Sequence, residues 1–264
     1  MPPQTASLDV HLLPRLVAQK RLRGQLVVVI DVLRATTTIT WALANGAREV
    51  IPFAEIDEAQ AAAARLPRDQ CLLGGERGGV PIAGFDLGNS PREYMPERVR
   101  GKTILFTTTN GTRALWHCRE AREVLLGAFV NLSDVVDRLA HEQRVSLLCA
   151  GTEEELTRED ALLAGCIVDR LVTESSPTRE LNDQAKIARD AWREIARETD
   201  PIGGADPWQP PQERLVRILR DTAGGRNLVA LGLDADIADA ARIDRFSLVP
   251  RFVPGAGSIR ADER

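Results

Sequence analysis

LVVVIDVLRATTT, residues 26–38, decides the class of fold. Its first five residues, Leu26–Ile30, are aliphatic without polar alternation, as in a strand buried on both faces of a parallel sheet. Asp31 follows at once, and then a threonine run opens a segment of helical character. The strand therefore delivers an acid to its C-terminal end just before a helix begins, which is where open α/β sheets place ligands. Shorter apolar runs recur at residues 50–53, 104–107, 124–126 and 145–149, separated by segments of helical character at 56–66, 112–118 and 133–141. Strands alternating with helices predict a three-layer α/β/α fold with a largely parallel sheet.

Working outward, residues 35–50 (ATTTITWALANGAREV) align without gaps to residues 109–124 (TNGTRALWHCREAREV). Each copy follows an apolar strand with a hydroxyl-rich turn and a helix, so duplication is one reading and the common shape of βαβ units the other. The chain reads as a single α/β unit over residues 1–264, or as two lobes divided near residue 100. Residues 181–198 form an amphipathic helical pattern, and 202–212 are a turn-rich connection. A short helix and a return strand near 247–252 complete the sheet, and the last dozen residues are expected to fray.

Composition narrows the function. The chain has 264 residues, 44% hydrophobic and 27% charged, which suits a globular core. With 34 basic against 38 acidic residues the formal charge is −4, so nothing invites nucleic acid or an anionic membrane, and any bound anion must be gathered locally. The four cysteines form no C-x-x-C pair and read as reduced thiols. No signal peptide or apolar run of spanning length is present, so the expected compartment is the cytoplasm. His11, His117 and His141 show no metal-ligand spacing.

Four clusters carry candidate chemistry. In the opening stretch, Asp31 and Arg34 flank the strand end, and Thr36, Thr37 and Thr38 offer hydroxyls and N–H groups at a helix N-terminus suited to phosphate. The competing reading is helix capping by the threonines and a surface ion pair for Arg34. GGERGGVPIAGFDLGNSP, residues 74–91, reads as a long functional loop holding Glu76, Arg77, Asp86 and Asn89. Ser90, Pro91 and Glu93 fit a capping box at its end. Glu76 and Asp86 are hard oxygen donors of the kind Mg²⁺ takes in ones or twos beside water and phosphate. TTTNGT, residues 107–112, supplies Thr109, Asn110, Gly111 and Thr112 in a turn that can aim N–H groups at an anion. In CAGTEEELTRED, residues 149–160, Gly151 and Thr152 end a strand, Thr157 and Asp160 fit a capping box, and the glutamates read as solvated helix-entry charge, with entry of Glu159 or Asp160 into a cleft as the alternative.

Together, in this order, the motifs IDVLRATTT, GGER with GFDLGNSP, TTTNGT, and CAGT with RED resemble the 2-phosphosulfolactate phosphatase family over about residues 26–171. The terminal LGLDADIADAARIDRFSLVP is similar as well. The resemblance implies an α/β fold, Mg²⁺ dependence, and hydrolysis of 2-phospho-3-sulfolactate to 3-sulfolactate and phosphate on a route to coenzyme M. The expected partner is a small anionic phosphate ester, and a homo-oligomer is compatible with the sequence. On this reading Asp31, Arg34, Glu76 and Asp86 are catalytic, with Mg²⁺ held among Asp31, Glu76 and Asp86. Thr36, Thr37, Arg77, Asn89, Thr109, Asn110, Gly111, Thr112, Gly151 and Thr152 bind substrate.

Direct attack by water and an aspartyl phosphate on Asp31 both stay open, although Leu33 stands where a D-x-D phosphatase has its second aspartate. Two rivals remain. CLLGGER, residues 71–77, has the C-x-x-G-x-x-R spacing of thiol phosphatases, but with Gln70 before the cysteine and Gly78 after the arginine. A non-catalytic protein binding a small phosphorylated or sulfonated anion would use the same loops.

Overall fold

The computed structural model describes residues 6–174, 178–199 and 208–261. In chain order the strands are β1 (Ala6–His11), β2 (Leu26–Ile30), β3 (Glu49–Phe53), β4 (Cys71–Arg77), β5 (Val80–Pro81), β6 (Thr103–Thr107), β7 (Glu123–Gly127), β8 (Arg144–Cys149), β9 (Arg179–Leu181), β10 (Pro250–Val253) and β11 (Ser258–Ala261). The helices are α1 (Gln19–Leu22), α2 (Ala35–Ala44), α3 (Ile56–Ala63), α4 (Pro96–Val99), α5 (Gly111–His117), α6 (Leu132–Leu139), α7 (Arg158–Glu174), α8 (Asp183–Thr199), α9 (Gln212–Arg220), α10 (Ala223–Ala230) and α11 (Asp234–Ala240).

Among the described residues the strands join in the order β5-β4-β6-β3-β11-β10-β7-β2-β8-β1-β9. The fold is α/β, with a mostly parallel mixed sheet between helical layers. One parallel block is β4-β6-β3 and the other β7-β2-β8-β1-β9. The hairpin β10-β11 joins them, antiparallel to β7 on one side and to β3 on the other. Three antiparallel steps in succession make the two blocks run in opposite directions. Reading outward from the hairpin, β3 then β6 mirror β7 then β2, so the aligned segments 35–50 and 109–124 occupy corresponding βαβ places about a pseudo-two-fold.

Every residue of β2 is buried because the sheet is covered on both sides. Val28 and Ile30 face a core shared with α6, α7, α8 and the C-terminal helices α9 to α11, while Val27 and Val29 face one shared with α2, α5, Ile104 and Phe106. Burial of both faces is why no polar alternation shows in this strand.

In a wholly parallel sheet the four motifs would line one edge; they lie instead at strand ends from both blocks. A flat sheet would hold the C-terminal ends of β2 and β6 at opposite edges. Twist of roughly 20–25° per strand accumulates to about 100° over the five steps between them, and the ends meet.

Other expectations change. Residues 71–77 form β4, paired with β6, so GGER is strand and not loop. Gly75 permits this: it sits at φ +135, and a Cβ there would lie 1.8 Å from the Thr107 carbonyl oxygen. Residues 258–261, expected to fray, form β11 in the middle of the sheet. Most of the turn-rich stretch 202–212 lies outside the described residues. Neither capping box forms, because Ser90 Oγ donates to Asp236 and the Asp160 carboxylate accepts from Val32 and Gly151 N–H groups.

Candidate active site

A cleft of about 240 Å³ opens where the ends of β2, β4 and β6 converge beneath α10. Asp31, Arg34, Glu76, Asn89, Thr109, Asn110 and Thr152 line it, together with Gly79, Glu153 and Gly224.

Asp31 is placed by its own helix. Its Oδ1 accepts from the Ala35 N–H at 3.1 Å, while Thr36 Oγ1 accepts from the Asp31 N–H at 3.0 Å. Among the described residues Asp31 Oδ2 accepts no hydrogen bond, and it lies 2.6 Å from where a Cβ on Gly111 would stand. Glycine at 111 is therefore what lets the TTTNGT turn close on the acid. Glu76, at the end of β4, is cradled by backbone: Oε1 accepts from Thr109 N–H at 2.8 Å and Oε2 from Gly79 N–H at 2.6 Å. Arg34 reaches across to Asp236 on α11 at 2.6 Å, with side chains 3% and 2% exposed, and also donates to the Gly79 carbonyl. Asn89 is buried, and its Oδ1 has no hydrogen-bond partner.

Two further acids stand behind Asp31. Asp160 ties two strand ends together, its Oδ1 accepting from Val32 N–H at 2.8 Å and Oδ2 from Gly151 N–H at 3.1 Å. Glu159 is buried against Gly224, with Oε2 unpartnered. Burial pushes the Asp31 carboxyl up to about 7, with Glu76 and Glu159 adding repulsion against the Ala35 N–H and Arg34. Burial also raises Asp160, with Asp31 and Glu159 adding to it, and raises Glu159.

Other nominated residues lie elsewhere. Asp86 accepts from Leu73 N–H and pairs with Arg68 outside the cleft; burial opposes its ionisation, but those donors hold its pKa below the usual value. Arg77 donates to the carbonyls of Glu76 and Ala54 and to Thr107 Oγ1. Thr36, Thr37 and Thr112 turn their hydroxyls to the carbonyls of Asp31, Val32 and Thr108. Gly151 serves through its backbone, at φ +67, by meeting Asp160. Cys71 and Arg77 stand at opposite ends of β4, about 20 Å apart at strand rise, so C-x-x-G-x-x-R makes no phosphate cradle.

Sequence reasoning missed Asp236 and α10, read Glu153 as solvated charge, and left open whether Glu159 or Asp160 enters the site. The available signal was DADIADA, residues 234–240, where Asp236 and Asp239 lie three apart on the apolar face of a short helix and are both buried.

The wall between Thr152 and Glu155 is a tight turn with reciprocal backbone bonds of 3.0 and 2.8 Å. Its central residues, Glu153 and Glu154, both take positive φ, 50° and 64°, in a turn that ordinarily carries Asn-Gly. The double change Glu153→Asn with Glu154→Gly is expected to stabilise the fold by about 1–2 kcal/mol. A melting temperature no higher than that of the parent chain would contradict the strain.

The sequence model of 2-phosphosulpholactate phosphatase matches residues 11–255. The chain belongs to the 2-phosphosulpholactate phosphatase family. Among its relatives is a protein of Caldanaerobacter subterraneus subsp. tengcongensis, 40% identical over 235 residues, covering 89% of this chain and 90% of the relative. One from Symbiobacterium thermophilum is 40% identical over 237 residues, covering 89% and 94%. One from Clostridium beijerinckii is 36% identical over 240 residues, covering 90% and 93%. Each is named a probable 2-phosphosulfolactate phosphatase. The match takes in all four family motifs and also the C-terminal helices that roof the cleft. No helix among the described residues is long and apolar enough to cross a membrane.

The donor set bears on a cation. Among the described residues no group of three His, Cys, Asp or Glu side chains is disposed to hold a metal ion alone. Mg²⁺ does not require three, since it keeps waters and takes one or two carboxylates beside phosphate oxygens. Asp31 and Glu76 supply two in one cleft, and a divalent cation would offset the burial and, beside it, the Glu76 repulsion that raise Asp31. The residues present fit the ion without Asp86.

Proposed function

We propose that the chain is a Mg²⁺-dependent phosphatase that hydrolyses 2-phospho-3-sulfolactate, or a related 2-phospho-acid, to 3-sulfolactate and inorganic phosphate. The observation that carries this reading is that acids and donors scattered over residues 31–152 and residues 223–228 of α10 close on one small cleft, within a family of that description. A place on a route to coenzyme M and a cytoplasmic location belong to the same reading.

Asp31 and Glu76 would hold Mg²⁺, which when bound offsets phosphate charge. Arg34, kept in place by Asp236, presents its guanidinium to the phosphoryl oxygens. Asn89 and the TTTNGT turn position the ester, and the apolar side chains of Leu33 and Leu228 limit water at the cleft wall.

The test is phosphate release from 2-phospho-3-sulfolactate, phosphoglycolate and 2-phospholactate, each with Mg²⁺ and with EDTA. Release that needs Mg²⁺ and is fastest with the sulfonate is expected. No release from any of them by folded protein would defeat the reading and favour an anion-binding protein.

The acid pair also predicts a pH effect on stability. Asp31 has a higher pKa folded, about 7, than its ordinary 3.8. The native state therefore binds the extra proton between those values, and folding loses stability as pH rises through about 7. In EDTA the melting temperature is expected to fall between about pH 5 and about pH 8, and Mg²⁺ is expected to offset much of that fall at the upper end. A pH-independent melting temperature in EDTA would contradict it.

A further inference from the structure

A second groove, of about 620 Å³, adjoins the cleft and shares Thr109, Asn110 and Glu153 with it. Its other walls are Leu13, Pro14 and Ala150 on the apolar side, Arg15, Arg113 and His117 on the basic side, and Glu154 next to the shared Glu153. The two chambers differ in charge. The cleft sets Asp31, Glu76 and the shared Glu153 against a single cation, Arg34, which Asp236 already neutralises, whereas the groove sets two arginines against Glu153 and Glu154. In the groove, Arg113 is exposed and makes no hydrogen bond or ion pair among the described residues. Among the described residues Arg15 donates only to the Glu154 carbonyl oxygen, at 3.3 Å, and has no carboxylate partner there. His117 is tied to the Val17 carbonyl oxygen at 2.8 Å and is not free to bind.

Between the chambers stands Asn110. Its Oδ1 accepts from Glu153 N–H at 3.2 Å, which leaves the Nδ2 donors unused on the shared wall. A phosphate ester reacting in the cleft must put the rest of its skeleton somewhere. A second anion on that skeleton would be repelled by the acids of the cleft and attracted by two guanidinium groups next door that have no carboxylate partner among the described residues.

We propose that the groove, through Arg15 and Arg113, holds the second anionic group of the substrate, a carboxylate or sulfonate, while the phosphate lies in the adjoining cleft. Arg113 and Arg15 are then specificity residues for that second acid. The inference rests on the phosphatase reading for its catalytic half and on groove chemistry alone for its binding half.

The experiment compares the parent chain with Arg113→Gln and Arg15→Gln on three esters: 2-phospho-3-sulfolactate, phosphoglycolate, and p-nitrophenyl phosphate, which has no second acid. Calorimetry of 3-sulfolactate binding runs beside it. The ratio of kcat/KM for the sulfonated ester to that for p-nitrophenyl phosphate is expected to fall on the order of 10-fold or more in Arg113→Gln, carried by KM. Arg113→Lys is expected to recover part of it. An equal fall for phosphoglycolate assigns the carboxylate to the groove; a fall confined to 2-phospho-3-sulfolactate assigns the sulfonate. A ratio within about 2-fold of the parent in both glutamine variants overturns the proposal while leaving the phosphatase reading intact. If no ester releases phosphate, weaker 3-sulfolactate binding by Arg113→Gln keeps the groove and removes the phosphatase, whereas unchanged binding removes the groove.

Discussion

Asp31→Asn is expected to lower phosphate release by about 10³-fold or more while leaving the protein folded. The substitution keeps an oxygen to accept from the Ala35 N–H and changes no volume, so the turn into α2 survives. What it removes is the charge on Oδ2, the oxygen that accepts no hydrogen bond among the described residues. That charge also repels Glu76 and Glu159, so metal-free Asp31→Asn is expected to melt above the parent chain, most clearly near pH 8. Loss of activity with a gain in stability is the pattern of a group held for function at the expense of folding. Wild-type turnover by Asp31→Asn in Mg²⁺ would remove Asp31 from the chemistry altogether.

Breaking the Arg34 to Asp236 pair should produce the largest loss of stability. Both side chains are almost wholly buried and 2.6 Å apart, and Asp236 also accepts from Ser90 Oγ at 2.6 Å. Asp236→Ala leaves a guanidinium buried without its counter-charge and a hydroxyl without its acceptor. That costs about 3–5 kcal/mol, a large part of the roughly 5–15 kcal/mol that stabilises ordinary domains. At about 2–4 °C per kcal/mol for a chain of this size, the melting temperature should drop by roughly 6–20 °C. The double change Arg34→Met with Asp236→Leu should recover most of the stability, because two apolar groups need no pairing. It should not recover phosphate release, because Arg34 lines the cleft. If Asp236→Ala melts within about 2 °C of the parent, the pair does not anchor α11 to the site.

The two substitutions differ in how visible their targets are in the chain. Asp31 is legible because everything that positions it is local: an apolar strand before it, a helix after it, and the Ala35 and Thr36 contacts within five residues. Thr109 and Asn110 are legible for the same reason, as a turn between a strand and a helix. Glu76 was nominated from a segment read as a loop, yet it reaches the cleft from the end of a strand, since Gly74 and Gly75 let β4 run close against Tyr94 and β6. Asp86 and Arg77 show the opposite case. They have the residue types that phosphate chemistry uses, but Arg68 and Leu73 hold one and three backbone and hydroxyl acceptors hold the other.

By itself the sequence determined the period of each element, the α/β class, the family motifs and the acid at the end of β2, because strand and helix patterns and turn chemistry are set by neighbours a few residues away. Only the tertiary structure decided which charges meet. Arg34 finds Asp236 across 202 positions, and Glu159 and Asp160 leave a solvated helix entry to sit behind Asp31. The opposed blocks of the sheet bring both arms of the repeat to one point. A charged side chain carries no local mark of its partner; burial makes an unpaired charge costly, and the folded chain supplies the partner wherever its topology brings one within reach.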